Sequence, residues 1–72
     1  IDDNVRWIID YKVGIHEGVG LEDFLDTEQI RYRGQLENYA SVMKHIESRR
    51  IRLGLYFPLL QGWREWEFEP LP

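Results

Sequence analysis

Trp7-Ile8-Ile9-Asp10-Tyr11-Lys12 is an apolar run that ends in an acid and a base two residues apart. With Val5, its aromatic and β-branched residues suit a pleated, half-buried strand. Side chains alternate along a strand, so Ile8, Asp10 and Lys12 share one face, and Trp7, Ile9 and Tyr11 the other. A strand apolar on both faces until Asp10 has the habit of a central strand whose end opens into a site. On spacing alone, a solvated ion pair at a strand end is the more ordinary reading of Asp10 and Lys12.

Working outward, Asp2-Asp3-Asn4 is turn material, and a polar turn just before a strand suggests the second half of a β-hairpin. After Lys12, glycines at 14, 18 and 20 mark a loop. It has neither the spacing of a phosphate-cradling loop nor GxGxxG. The sequence predicts a helix that starts near Asp26 or Thr27, with Asp26 as cap and Gln29 reaching back. Tyr32, Leu36, Tyr39, Met43 and Ile46 recur at helical steps and form one apolar stripe, with Gln35 at its edge. Gly34 is a weak point in that helix, and its missing side chain offers close approach to another backbone. Lys44, His45, Arg49 and Arg50 gather near the helix end, where cations complement the dipole. Lys44, Arg49, Arg50 and Arg52 are equally placed to touch phosphates. Residues 51–58 read as a second strand and 63–68, with clean alternation, as a third. Pro70 and Pro72 bar further sheet pairing. The expected fold class is α/β: strand 1–12, loop 13–27, helix 28–48 and two strands over 51–68, in a mixed sheet with the helix on one face.

The chain has 72 residues, room for one domain. A domain of that size buries only about 60% of its unfolded surface. With no cysteine, neither a disulfide nor a thiolate metal site can reinforce it. The hydrophobic fraction of 43% and aromatic fraction of 14% supply a packed core and argue against disorder. A net charge of −4 argues against a free-standing nucleic-acid binder, whose grip comes from neutralised phosphates. The three tryptophans therefore read as core or interface rather than base-stacking platforms. No apolar run approaches the ~20 residues of a membrane span. The expected location is cytoplasmic, without membrane contact. His16 reads as a loop residue and His45 as solvated.

Three features occur in order: the strand ending Asp10-Tyr11-Lys12, the run Tyr32-Arg33-Gly34-Gln35-Leu36-Glu37-Asn38-Tyr39-Ala40, and the strand Leu53-Gly54-Leu55-Tyr56-Phe57-Pro58-Leu59. Together they resemble the C-terminal nuclease domain of RecB-like and AddA-like helicase–nucleases of the UvrD/Rep type, part of the PD-(D/E)XK superfamily. That family carries D-x-K on a core strand and Q-x-x-x-Y on a following helix, matched here by Asp10, Lys12, Gln35 and Tyr39. The resemblance implies a restriction-endonuclease-like core, of which residues 1–72 would be the C-terminal part. It implies Mg²⁺ or Mn²⁺ held by the Asp10 carboxylate and the Tyr11 carbonyl. Lys12 would activate the attacking water or neutralise transition-state charge, while Gln35 and Tyr39 position Lys12 or the DNA backbone. The implied activity is a DNA exonuclease that processes ends in double-strand-break repair. ATP would be used by helicase domains of the same polypeptide, with DNA and possibly another subunit as partners.

The departure from the family is as informative as the match. The family's other metal-binding Asp lies on the preceding hairpin strand, and counting back from Asp10 places it before Ile1. Asp2 and Asp3 sit where the hairpin turn belongs. The expectation is therefore an N-terminally truncated fragment, inactive alone, whose exposed strand edge beside Val5 to Tyr11 drives self-association. The competing readings are a non-catalytic docking module of a helicase-like protein, and a small α/β binding domain. The second requires Asp10 and Lys12 to face away from Gln35 and Tyr39.

Overall fold

Strand β1 spans Val5–Tyr11, helix α1 Leu21–Met43, strand β2 Arg50–Phe57 and strand β3 Gly62–Glu67, in a computed structural model that describes residues 4–14 and 20–70. The three-stranded sheet has the order β1-β2-β3. β1 runs parallel to β2, and β3 antiparallel to it. The chain is thus a small α/β unit with a mixed sheet and the helix on one face. Among the described residues β2 is the central strand of the sheet and β1 an outer one. The apolar residues on both of its faces reflect an aromatic cluster on the second face, described below.

The core is built from alternation in β2. Ile51, Leu53, Leu55 and Phe57 are buried against Leu25, Leu36 and Ala40 of α1, with Trp66 and Phe68 beside them. Leu25 lies so close to Gly62 that a β-carbon there would stand 2.9 Å from Leu Cδ2. Phe24 meets Phe57 edge-on at 5.5 Å.

These contacts explain why α1 starts at Leu21 rather than near Asp26. Leu21, Phe24 and Leu25, at helical spacing, are drawn onto the sheet, and Glu22 and Asp23 suit the positive end of the helix dipole. Gly20 is the N-cap, with no side-chain cap bond. Asp26 instead accepts from Arg64 at 3.1 Å, while Glu22 accepts from the same guanidinium at 2.6 Å, tying the first turns of α1 to β3. The loop after β1 is correspondingly shorter than expected. At the other end, Lys44 N–H donates to the Ala40 carbonyl and Glu47 N–H to that of Met43, and the helix stops at Met43.

The buried stripe also shifts. Leu25, Leu36 and Ala40 are buried, whereas Tyr39 is 60% and Ile46 85% exposed. Among the described residues nothing lies within 4 Å of where a β-carbon at Gly34 would stand, so the close approach expected there is not seen. The β2–β3 connection is a 3₁₀ turn over Pro58–Leu60, closed by Gln61 in the left-handed region at φ 52°.

The sheet's other face carries Trp7, Ile9 and Tyr11 of β1, Arg52, Gly54 and Tyr56 of β2, and Trp63, Glu65 and Glu67 of β3, as the pairing register requires. Trp7 and Trp63 lie with ring centroids 6.0 Å apart, and Tyr56 meets Tyr11 edge-on at 5.6 Å. Arg52 sits 5.5 Å from the Trp7 ring and bridges Glu65 and Glu67, each at 3.0 Å. Among the described residues, no helix is long and apolar enough to cross a membrane.

Candidate functional site

Strand alternation puts Asp10 on the helix side of the sheet, opposite Leu55 of the core. Lys12 follows just past the strand and continues its alignment, its N–H donating to the Tyr56 carbonyl at 2.8 Å. Lys12 Nζ lies 3.0 Å from Asp10 Oδ2, with side chains only 24% and 27% exposed. That partial burial sets the pair apart from a freely solvated surface bridge, since water and salt screen it less. The ammonium also sits 3.8 Å from the centroid of the Tyr32 ring. The lysine is therefore held between a carboxylate and an aromatic face at the C-terminal end of a parallel strand, where α/β sheets commonly place their sites.

Gln35 and Tyr39 line a shallow cleft on α1 with Asn38 and Val42. Tyr39 and Val42 continue into a second cleft of about 430 Å³ with Met43, Ile46 and Ile8. Ile8 shares the strand face of Asp10 and Lys12, so the two residue pairs lie on the same side of the sheet. Neither Gln35 nor Tyr39 bonds to Asp10 or Lys12. The helical residue that reaches Lys12 is Tyr32, one turn before Gln35.

The donor set suits a divalent cation only in part. Asp10 offers one carboxylate, already paired with Lys12, and the Tyr11 side chain belongs to the opposite face against Tyr56. Among the described residues, no three His, Asp or Glu side chains gather to hold a metal. Magnesium takes six oxygens in near-ideal octahedral geometry, and one carboxylate with one carbonyl leaves most of that shell to water. These residues alone do not fit a complete magnesium site. Asp2, Asp3, His16 and Glu17 lie outside the described residues.

The basic group is largely engaged by acids. Arg49 pairs with Glu47 at 2.8 Å, Arg50 with Glu67 at 3.8 Å, and Arg52 with Glu65 and Glu67. Lys44 Nζ donates to the Arg49 carbonyl. Hydrogen bonds from the Arg49 side chain and backbone hold the Glu47 carboxyl down at about 2. The Trp63 indole N–H, and then Arg52, lower that of Glu65. The Glu22 carboxylate, with Asp26, raises Arg64. These cations brace the fold more than they build a phosphate-binding surface.

No known protein family, no curated protein and no solved structure matches this chain.

Proposed function

We propose that the chain is part of a metal-dependent DNA nuclease domain of the RecB-like kind, joined to an ATP-driven helicase and acting in DNA end processing and double-strand-break repair. The reading is supported above all by the half-buried Asp10–Lys12 pair at the end of β1, on the sheet side that also bears Gln35 and Tyr39. Hydrolysis of a phosphodiester needs water to attack phosphorus and one P–O bond to break, with negative charge building on the phosphoryl oxygens. A lysine fixed in a partly dry position is suited to neutralise that charge. Tyr32 restricts the Lys12 ammonium, and on this proposal Gln35 and Tyr39 position the Lys12 region or the DNA backbone. Among the described residues the site has one carboxylate, Asp10, and on this proposal cleavage needs a second one.

The alternative, a non-catalytic docking module, draws support from the internal satisfaction of Lys12 by Asp10 and Tyr32. The two readings separate in a Mn²⁺ titration of the protein followed by NMR. A residual metal half-site broadens the Asp10, Tyr11 and Lys12 amides before those near Glu22 and Asp26, and Asp10→Asn removes the effect. Broadening led by other carboxylates favours the docking module. Robust cleavage by the chain alone, lost in Asp10→Ala, would refute the incomplete site.

A further inference from the structure

The Lys12 ammonium is gripped from two elements. It meets Asp10 Oδ2 at 3.0 Å, from its own strand, and lies 3.8 Å from the centroid of the Tyr32 ring, which comes from α1. An ammonium carries three N–H donors and no acceptor. The carboxylate takes one of these directions. The ring face takes another, since its π electrons attract a cation at this range. Among the described residues, Lys12 Nζ meets no further acceptor. The side chain keeps 24% of its surface exposed, so the third donor has an opening.

We propose that Tyr32 is the positioning residue of the candidate site: its ring fixes the Lys12 ammonium so that the remaining N–H is offered to a phosphoryl oxygen. The identity of that acceptor rests on the nuclease reading, whereas the seat itself does not. The ring can serve as a support because it is held in turn. Tyr32 is half-buried and packs against the core that includes Leu36, one turn further along α1. Side chains whose rotamers are locked by packing make precise supports. The ring is the acting part, as the Tyr32 hydroxyl has no hydrogen bond among the described residues.

The same two neighbours select the direction of approach. The face of an aromatic ring is negative, as is a carboxylate, so both turn an anion away. An oxyanion therefore reaches the ammonium from the side that neither covers. Asp10 alone leaves that side undefined, because it lies on the same strand and a single ion pair pivots. Tyr32 belongs to the helix and ties the place of the ammonium to the packing of α1 on the sheet. Tyr39, 60% exposed, has no such ring contact with Lys12.

Heteronuclear NMR of this chain, alongside Tyr32→Phe and Tyr32→Leu, tests the seat without any need for catalysis. In the unaltered protein the Cε protons of Lys12 should lie upfield of those of Lys44, the chain's other lysine, because the Tyr32 ring shields them. Tyr32→Phe should keep that shift and Tyr32→Leu should abolish it. Lys12 signals that coincide with those of Lys44 in the unaltered protein, or that ignore Tyr32→Leu, overturn the proposal. The first of these outcomes needs no variant, so it decides even where Tyr32→Leu does not fold. The second arm is steady-state cleavage of duplex DNA by a longer polypeptide that carries this chain and a second carboxylate. Tyr32→Leu should lower kcat by roughly 10- to 100-fold with KM changed by less than about threefold, and Tyr32→Phe should rescue kcat to within about threefold. A Tyr32→Phe rate as low as that of Tyr32→Leu, or a loss confined to KM, overturns the positioning role. If the unaltered polypeptide does not cut DNA, the nuclease reading fails and with it the phosphoryl acceptor, whereas the seat stands or falls on the NMR arm.

Discussion

The ring of Trp63 lies across the backbone of Gly54, so close that a β-carbon at Gly54 would stand 2.5 Å from ring atom Cη2. The absence of a side chain in the central strand is thus a packing requirement: it seats the indole that also meets Trp7 and Tyr56. Gly54→Ala is expected to cost about 1–3 kcal/mol, the usual range for overpacking. The cost should shrink in a Trp63→Leu background, as neighbours that share one space are not additive. Urea unfolding of the four proteins in this cycle checks it, and equal costs in both backgrounds would contradict the packing assignment.

Gly34 is the opposite case. It lies on the exposed side of α1 with open space where a β-carbon would go. Gly34→Ala should stabilise the protein by roughly 1 kcal/mol, through helix propensity and a less flexible unfolded chain. Thermal unfolding followed by circular dichroism measures this. A lower midpoint would mean that the position serves a contact beyond this chain.

The carboxyl of Glu47 titrates at about 2 in the folded protein, against an ordinary 4.5, chiefly because Arg49 donates to it. A depressed carboxyl pKa contributes stability that is fully present above about pH 4.5 and lost as pH falls toward 2. Glu65 is shifted in the same direction. The unfolding midpoint should therefore fall as the solution is acidified through this window, and Glu47→Gln should flatten the fall. The pair is exposed, so salt should diminish the difference. Identical slopes for the two proteins would show that Glu47 has no part in it.

The parts of the fold that were legible in the sequence are those in which one residue's type decides its place. Alternation in β1 correctly separated Ile8, Asp10 and Lys12 from Trp7, Ile9 and Tyr11, and the clean alternation over 63–68 marked β3 as a strand. The start of α1 was misread because Asp26 carries a good local cap signal. Capping contributes only ~1 kcal/mol. Burying Leu21, Phe24 and Leu25 on the sheet outweighs it, and Asp26 is left free to pair with Arg64, 38 residues away in sequence. The stripe drawn through Tyr39 and Ile46 was misread for a related reason. Periodicity alone does not say which of two adjacent helical faces meets the sheet, and small Ala40, fully buried, marks the true one. At the candidate site, the strand pair was visible from spacing. The seat of Lys12 on Tyr32 depends on where the helix passes β1, which only the tertiary fold determines.

The nuclease reading rests on Lys12 as the cation that meets a phosphodiester. The most direct measurement is the rate at which linear duplex DNA is cut in Mg²⁺ by a longer polypeptide carrying this chain and the second carboxylate that the proposal requires. The comparison is between Lys12 and Lys12→Ala. Cleavage that falls by at least about 100-fold in the variant, with folding intact, is the expected result. No cleavage by the unaltered protein, or a rate unchanged by Lys12→Ala, would contradict it.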